Sequence, residues 1–339
     1  MPPAVRVVVV AYNAGEHLAR CVEALRRQSF ADFEAVIVDN ASTDGAVDRL
    51  GALEAPFRIL RMDRNVGFAA GCNAGARGCA APWLAMLNPD AFAEPDWLAR
   101  LMAATARHPD VAMFAAVQLD AANPAVYDGL GDHYSPYGIG WRGAKGQPVR
   151  VSPSADGRVF SPCAAAALYR TAAFAAAGGF DERYFCYFED LDLGFRLRLA
   201  GSDCVLVADA AVRHVGSAIT GRASAFSVYH GWRNRIWTFW KDMPAALLWP
   251  CLPLFALAHL PLLALAARHG QARAALRGVR DGLGGLGALA AARREVQRSR
   301  RIGVVALMSA LTWSPVGIVR RRAAMRPAAG APPSAAVRR

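Results

Sequence analysis

Four short apolar runs, each closed by asparagine or aspartate and separated from the next by a helical segment, restrict this chain to few folds. Residues 5–11, VRVVVVA, are continuous and mostly β-branched and stop at Tyr12-Asn13-Ala14-Gly15. Such a run reads as a strand buried on both faces. Glu16–Gln28 then carries Leu18, Val22 and Leu25 at helical spacing. Phe33–Val38 is a second strand, ending in Asp39-Asn40-Ala41-Ser42-Thr43-Asp44-Gly45; Val47–Leu53 is a short helix and Arg58–Met62 a third strand. Asn65-Val66-Gly67-Phe68 opens a glycine-punctuated helix, and Trp83–Leu87 is a fourth strand that stops at Asn88-Pro89-Asp90. This alternation predicts an α/β architecture, a doubly wound and mostly parallel sheet with helices on both faces. Ligands of such sheets bind beyond the carboxyl ends of the strands, where Asn13, Asp39, Asp44 and Asp90 fall.

Farther along, Asp96–Arg107 reads as a helix and Val111–Leu119 as a strand, while 120–160 is rich in Gly, Pro and Tyr and reads as loops. Ala164–Leu168 is another strand, Thr171–Ala177 a short helix, and Cys204–Val207 a short strand followed by Val212-Arg213-His214. The stretch between them, GGFDERYFCYFEDLDLGFRLR at 178–198, mixes carboxylates and arginines with Phe180, Tyr184, Phe185, Tyr187 and Phe188. A core would exclude the charges and a solvated face the rings, so the mixture suits the wall of a site. Leu191, Phe195 and Leu199 recur every four residues, placing Glu189-Asp190 at a helix start, where the partial positive charge favours a carboxylate. Asp192 and Arg196 form an i,i+4 pair that serves equally as a helix surface contact.

The 339 residues, 54% of them hydrophobic, suffice for one large domain and an appendage. Net charge is +12, with Lys145 and Lys241 as the only lysines. Seven scattered cysteines without a CxxC spacing argue against a disulfide framework or structural zinc and for a reducing compartment. MPPAVRVVVVAYN has neither the charged lead-in nor the apolar length of a signal peptide, so the chain is expected in the cytosol. Carboxylates gathered at a sheet edge suit a divalent cation, and the cation suits a diphosphate. Neither a Walker A loop nor GxGxxG is present. His214 is a further metal-ligand candidate, though a single histidine is more often structural.

Six blocks in this order resemble the family 2 inverting glycosyltransferases of GT-A fold, especially their rhamnosyltransferase-like branch: VVVVAYNAG (7–15), VDNASTDG (38–45), NVGFAAGCNAG (65–75), LNPDA (87–91), GGFDERYFCYFEDLDLGFRLRLAG (178–201) and HVGSAITG (214–221). The resemblance implies a nucleotide-sugar donor, dTDP-rhamnose in that branch, and Mg²⁺ or Mn²⁺. It implies that Asp39 binds the pyrimidine, with Ala11, Tyr12, Asn13, Asn40, Ser42 and Asp44 shaping that pocket, and that Gly67, Phe68 and Asn73 lie beside nucleotide and sugar. Asn88-Pro89-Asp90 stands where relatives carry a DXD motif, so Asp90 would bind the cation, with His214 as a second ligand. Asn88 replaces the first DXD carboxylate and lowers the site's charge. Glu189-Asp190 matches the family's ED pair, with Asp190 as general base. The QxxRW motif of processive relatives is missing, which favours single-sugar transfer.

The expected division is a catalytic domain over 1–240, a helical membrane-associating region over 241–322 and a disordered tail over 323–339. Ala245–Ala267 is apolar and long enough for the roughly 20 residues of a crossing, but Pro250, Pro253 and Pro261 interrupt it and both flanks are basic. A hairpin with Ile302–Val319 or an in-plane helix fits the flanks better than one crossing; a bundle packed on the catalytic domain is the alternative. Trp232–Trp240 is either a headgroup belt or the packing surface for those helices. The expected partners are the donor, a glycan or polyprenyl-linked acceptor and the cytosolic face of the plasma membrane, but not nucleic acid. A nucleotidyltransferase and a non-catalytic nucleotide-sugar-binding subunit, the latter motivated by Asn88, are the competing readings.

Overall fold

The computed structural model describes residues 1–149, 153, 155–216 and 224–327. Residues 217–221 of the last sequence block, and the tail from 328, lie outside the described residues.

In chain order the first elements are β1 (Val5–Ala11), α1 (His17–Arg26), β2 (Phe33–Asp39), β3 (Phe57–Arg61), α2 (Gly67–Ala76) and β4 (Trp83–Leu87). The helix expected over Val47–Leu53 is one 3₁₀ turn, Asp48–Leu50. β1 lies between β2 and β4 and is parallel to both, and β3 continues the sheet beyond β2. Val7 and Val9 of β1 enter one core, with Leu18, Val22 and Leu25 of α1. Val8 and Val10 enter the other, with Ala69 and Cys72 of α2. Burial on both faces is why the run shows no alternation.

There follow β5 (Ala91–Ala93), α3 (Trp97–Arg107), β6 (Met113–Asp120), β7 (Tyr127–Leu130), β8 (Asp132–Tyr134), β9 (Gly140–Arg142), β10 (Gly157–Val159), β11 (Ala166–Arg170), α4 (Thr171–Ala176), α5 (Glu189–Leu199) and β12 (Cys204–His214). The loop-rich region 120–160 thus carries four short strands. The sheet is parallel from β3 to β4 and mixed beyond it. β11 is inserted antiparallel between β4 and β6, and β12 runs parallel to β6. β12 is one strand, of which only Cys204–Val207 reads as such from sequence; a register shift between Val207 and Ala211 interrupts it.

The remaining elements are α6 (Ala225–Asp242), α7 (Ala245–Arg268), α8 (Ala272–Gly284), α9 (Leu286–Ser299), α10 (Val304–Ala310), α11 (Pro315–Val319) and β13 (Arg326–Pro327). The aromatic-basic stretch is α6, which packs on the catalytic half through a buried ion network. Lys241 donates to Asp181 at 2.6 Å and to Asp192, and Arg196 completes the cluster at 2.8 Å from Asp192. Asp192 and Arg196 are therefore part of the scaffold beneath α5. At Gly278 of α8 a Cβ would come within 2.6 Å of the Tyr229 carbonyl, so glycine lets α8 close on α6.

α7 keeps its three prolines inside one helix and buries only Leu247, Leu248, Cys251 and His259. Leu257 and Leu260 are 63% and 62% exposed. By length and composition alone α7 could cross a membrane. The second apolar run, by contrast, breaks into helices of 7 and 5 residues. Neither reaches the roughly 20 residues of a crossing, so the two-legged hairpin does not form. Residues 323–327, expected in the disordered tail, are ordered: Ala323 and Met325 pack on the second core, and β13 pairs with β10.

Candidate active site

A cleft of about 840 Å³ opens at the carboxyl ends of β1, β2 and β4. Tyr12, Asn40, Gly67 and Phe68 line one side, Asn88, Asp90 and His214 the floor, and Glu189 and Asp190 the opposite wall. Of the other residues singled out from sequence, Ala11, Asn13, Asp39, Ser42, Asp44 and Asn73 stand behind this lining. Asp39 pairs with Arg61 at 2.9 Å and accepts from the Ser42 N–H at 2.9 Å. Asn13 and Asp44 lace the loops after β1 and β2 together, accepting from the Thr43 and Gly15 N–H groups at 2.8 Å each. Asn73 turns away from the cleft and brackets the 178–182 loop, donating to the Phe180 carbonyl at 2.8 Å and accepting from its N–H at 2.9 Å.

Asn40 joins the donor side to the next loop: it donates to Asn65 Oδ1 at 2.9 Å and accepts from the Val66 N–H at 2.9 Å. Gly67, at φ +86°, meets Phe185 so closely that a Cβ would sit 2.6 Å from the Phe185 carbonyl. Only glycine permits both the left-handed backbone and the approach.

On the floor, His214 lies between two carboxylates. Its Nδ1 is 2.7 Å from Asp128 Oδ2 and its Nε2 is 3.3 Å from Asp90 Oδ1. Burial alone would lower the imidazole pKa, but the two carboxylates outweigh it and raise it. Asp90 and Asp128 are in turn held below the usual carboxylate range against burial, Asp128 also by Arg142 and Lys145 at 2.5 Å each. Asn88 adds an Oδ1 that is buried without a partner. These groups fit a divalent cation. Two ligands each about 2.1 Å from one ion stand roughly 3 Å apart, close to the Asp90–His214 spacing. Asp128 would hold the far imidazole nitrogen as such histidines require, and the orphaned amide oxygen supplies a third donor.

The opposite wall is built from strain. Phe185, Tyr187 and Phe188 have φ of +66°, +65° and +68°, a region that side chains other than glycine seldom occupy. Asn234 of α6, fully buried, holds them there: its Nδ2 faces the carbonyls of Tyr184, Cys186 and Tyr187 at 3.0, 2.8 and 2.7 Å. The last of these residues, Phe188, is the N-cap of α5, so the clamp aims Glu189 and Asp190. Asp190 accepts from the Ala164 and Leu191 N–H groups at 3.0 and 2.8 Å. Burial first, and the Asp190 charge second, push both Glu189 and Asp132 well above the usual carboxylate range. Asp132, Cys163 and Asp190 bring ligand-type atoms within 4.8 Å of one another. Burial raises the Cys163 thiol, however, and a protonated thiol is a poor partner for a hard cation. The arrangement sets two carboxyl groups opposite a floor whose groups fit a cation, across one cleft, and displacement of a phosphate-linked leaving group needs groups of both kinds.

Sequence reading missed Asp128, Asp132, Arg142, Lys145 and Asn234. The first four sit in the segment read as loops, and Asn234 lies among aromatics and arginines. One signal was available: the chain's two lysines both stand in ion networks, Lys145 on Asp128 and Lys241 on Asp181.

A profile of glycosyl transferase family 2 matches residues 6–174. The chain is 30% identical over 253 residues to the N-acetylglucosaminyl-diphospho-decaprenol L-rhamnosyltransferase of Mycobacterium tuberculosis, covering 66% of this chain and 80% of that one. Among solved structures, S. aureus TarS 1–349 in complex with UDP-GlcNAc superposes with a TM-score of 0.55 at 16% identity, over 88% of this chain and 91% of that one. The mannosyltransferase PcManGT from Pyrobaculum calidifontis, in complex with GDP-Man and Mn²⁺, gives 0.50 at 17% identity over 88% and 86%. These likenesses establish the GT-A fold, and the relationship in sequence removes the nucleotidyltransferase and non-catalytic readings. The chain is a glycosyltransferase and belongs to glycosyl transferase family 2, on its rhamnosyltransferase-like branch.

Proposed function

We propose that this chain moves a single sugar, rhamnose from dTDP-rhamnose, onto a polyprenyl-diphosphate-linked acceptor with inversion at the anomeric carbon, at the cytosolic face of the plasma membrane. The observation that carries the reading is the convergence of Asn88, Asp90, His214 and Asp190 on one cleft. The acceptor is inferred from the relative's name, and the membrane from the exposed apolar surface of α7.

The donor's base lies by Tyr12 and Asn40, with Asp39 and Arg61 fixing the loop behind it. Asn88, Asp90 and His214 would hold Mg²⁺ or Mn²⁺, which when bound stabilises charge on the leaving diphosphate. The imidazole favours Mn²⁺. Asp190 takes the proton of the acceptor hydroxyl as that oxygen attacks the face opposite the diphosphate. Burial, and the Asp190 charge after it, push the Glu189 carboxyl well above the usual range, which disfavours a second negative charge beside Asp190. Phe68 and the 185–188 rings exclude water from the reacting centre.

Asp190→Asn tests the assignment. Turnover should fall about 10³-fold or more, as general-base loss implies, while donor binding persists in a thermal-shift titration of dTDP-rhamnose with Mn²⁺. Near-normal turnover would remove Asp190 as the base. Failure of every nucleotide sugar to shift the wild-type melting point would remove the donor reading.

A further inference from the structure

One residue lining the cleft, Arg321, comes from the far end of the chain. Residues 320–322 lie across the segment after β9: the Ala144 N–H donates to the Arg321 carbonyl at 2.7 Å, Gln147 Nε2 to that of Arg320 at 2.7 Å, and Trp141 Nε1 to that of Arg322 at 3.2 Å. α11 ends in a paired cap, with the Arg322 N–H on the Gly317 carbonyl at 2.8 Å and the Arg321 N–H on that of Ile318 at 3.0 Å. That cap puts Arg321 at φ +48°, a position where glycine is the usual residue. Arg321 lines the cleft. Arg142 and Lys145, on the same wall, are both engaged by the one Asp128 carboxylate. Among the described residues no carboxylate pairs with the guanidinium groups of Arg320, Arg321 or Arg322.

Just before these arginines, Trp313, Val316 and Val319 are 39%, 54% and 82% exposed. The β8–β9 hairpin ties this apolar strip to α7. Its Tyr137 hydroxyl donates to the Trp313 carbonyl at 2.9 Å, and a Cβ on its Gly138 would lie 2.3 Å from the Phe255 ring. A cation without a carboxylate partner at the edge of the cleft thus follows exposed apolar residues that the hairpin joins to α7.

We propose that residues 313–322 form the acceptor-side wall. Arg321 grips the phosphate that joins the acceptor sugar to its apolar carrier, and the carrier lies along Trp313, Val316 and Val319. A guanidinium matches a phosphate through paired, charge-assisted hydrogen bonds, and the adjoining apolar residues suit the carrier rather than water. This rests on the glycosyl-transfer reading and adds the group that the acceptor presents. The competing source of phosphate is the donor's own diphosphate.

The test uses full-length protein, a short-chain prenyl-diphosphate sugar, the same sugar as a neutral alkyl glycoside, and dTDP-rhamnose. Arg321→Gly removes the cation at a backbone position that suits glycine, so folding is preserved; Arg321→Lys keeps the charge. The wild type should prefer the diphosphate acceptor. Arg321→Gly should raise its KM by about tenfold or more, the loss expected for one charged contact, collapse that preference, and leave no matching rise in donor KM. Arg321→Lys should recover part of the loss. A rise in donor KM instead, an equal loss on the neutral glycoside, or an unchanged preference would overturn the proposal. Direct binding of the prenyl-diphosphate sugar, read by calorimetry, separates the two readings. Weakened binding in Arg321→Gly without turnover from any nucleotide sugar keeps the acceptor seat and sinks the transfer reading. Equal binding by both proteins sinks the seat.

Discussion

Asn234→Ala should disable the enzyme from behind the cleft wall. Three non-glycine residues at positive φ, Phe185, Tyr187 and Phe188, carry roughly 1–2 kcal/mol of strain each. The two N–H groups of the Asn234 amide oppose that strain by sharing three carbonyls from a fully buried position. With two N–H groups at about 1 kcal/mol each, its loss removes about 2 kcal/mol, an appreciable part of the strain it restrains. The loop then relaxes toward ordinary backbone angles, and the start of α5 moves with it. A displacement of about 1 Å at Glu189-Asp190 costs on the order of 10²-fold in rate. We therefore expect kcat to fall about 100-fold with donor KM changed far less, and Tm to drop by roughly 3–4 °C. Asn234→Asp, which sets a carboxylate against carbonyl oxygens, should be worse still. Steady-state kinetics well below the melting point, with differential scanning fluorimetry, decide the matter. An alanine variant with lowered Tm and wild-type kcat would refute the claim that the strained loop aims the base.

Asp128→Asn should raise the Mn²⁺ concentration for half-maximal activity about 10–100-fold, because His214 loses the partner that orients it and Arg142 and Lys145 lose theirs; an unmoved metal titration would exclude Asp128 from that role. Leu257→Asp with Leu260→Asp should stop the protein floating with anionic liposomes, since each exposed leucine forfeits about 1.5 kcal/mol or more of apolar burial. Flotation undiminished by the pair would mean that α7 does not meet the membrane.

The parallel half of the sheet was legible because burial on both faces leaves an unmistakable trace: seven apolar-rich residues in β1, closed by a turn. Strand direction leaves no such trace. Ala166–Arg170 has the same composition whichever way it runs, so the reversal at β11 was invisible. β12 reads from sequence only as Cys204–Val207 because its bulge interrupts the apolar pattern beyond Val207. In the site, Asp90 and Glu189-Asp190 were readable because local order, a strand end or a helix start, dictates where they point. Asp128 and Asn234 act through partners 86 and about 50 residues away in sequence, and no local pattern encodes such a contact. Asp39 and Asn73 were recognised as belonging to the site region, but their side chains brace loops instead of facing the cleft.

The reversed strand β11 has one more effect. Because it runs against β4, its beginning lies at the cleft. There the Ala165 carbonyl receives the Asn88 N–H at 3.0 Å, and the Ala164 N–H reaches Asp190 at 3.0 Å. Two consecutive residues, Ala164 and Ala165, therefore link the loop that would hold the cation to the residue that would take the proton. The gap into which a sugar must fit is thus gauged from this short backbone segment on one side, while the Asn234 clamp fixes the start of α5 on the other.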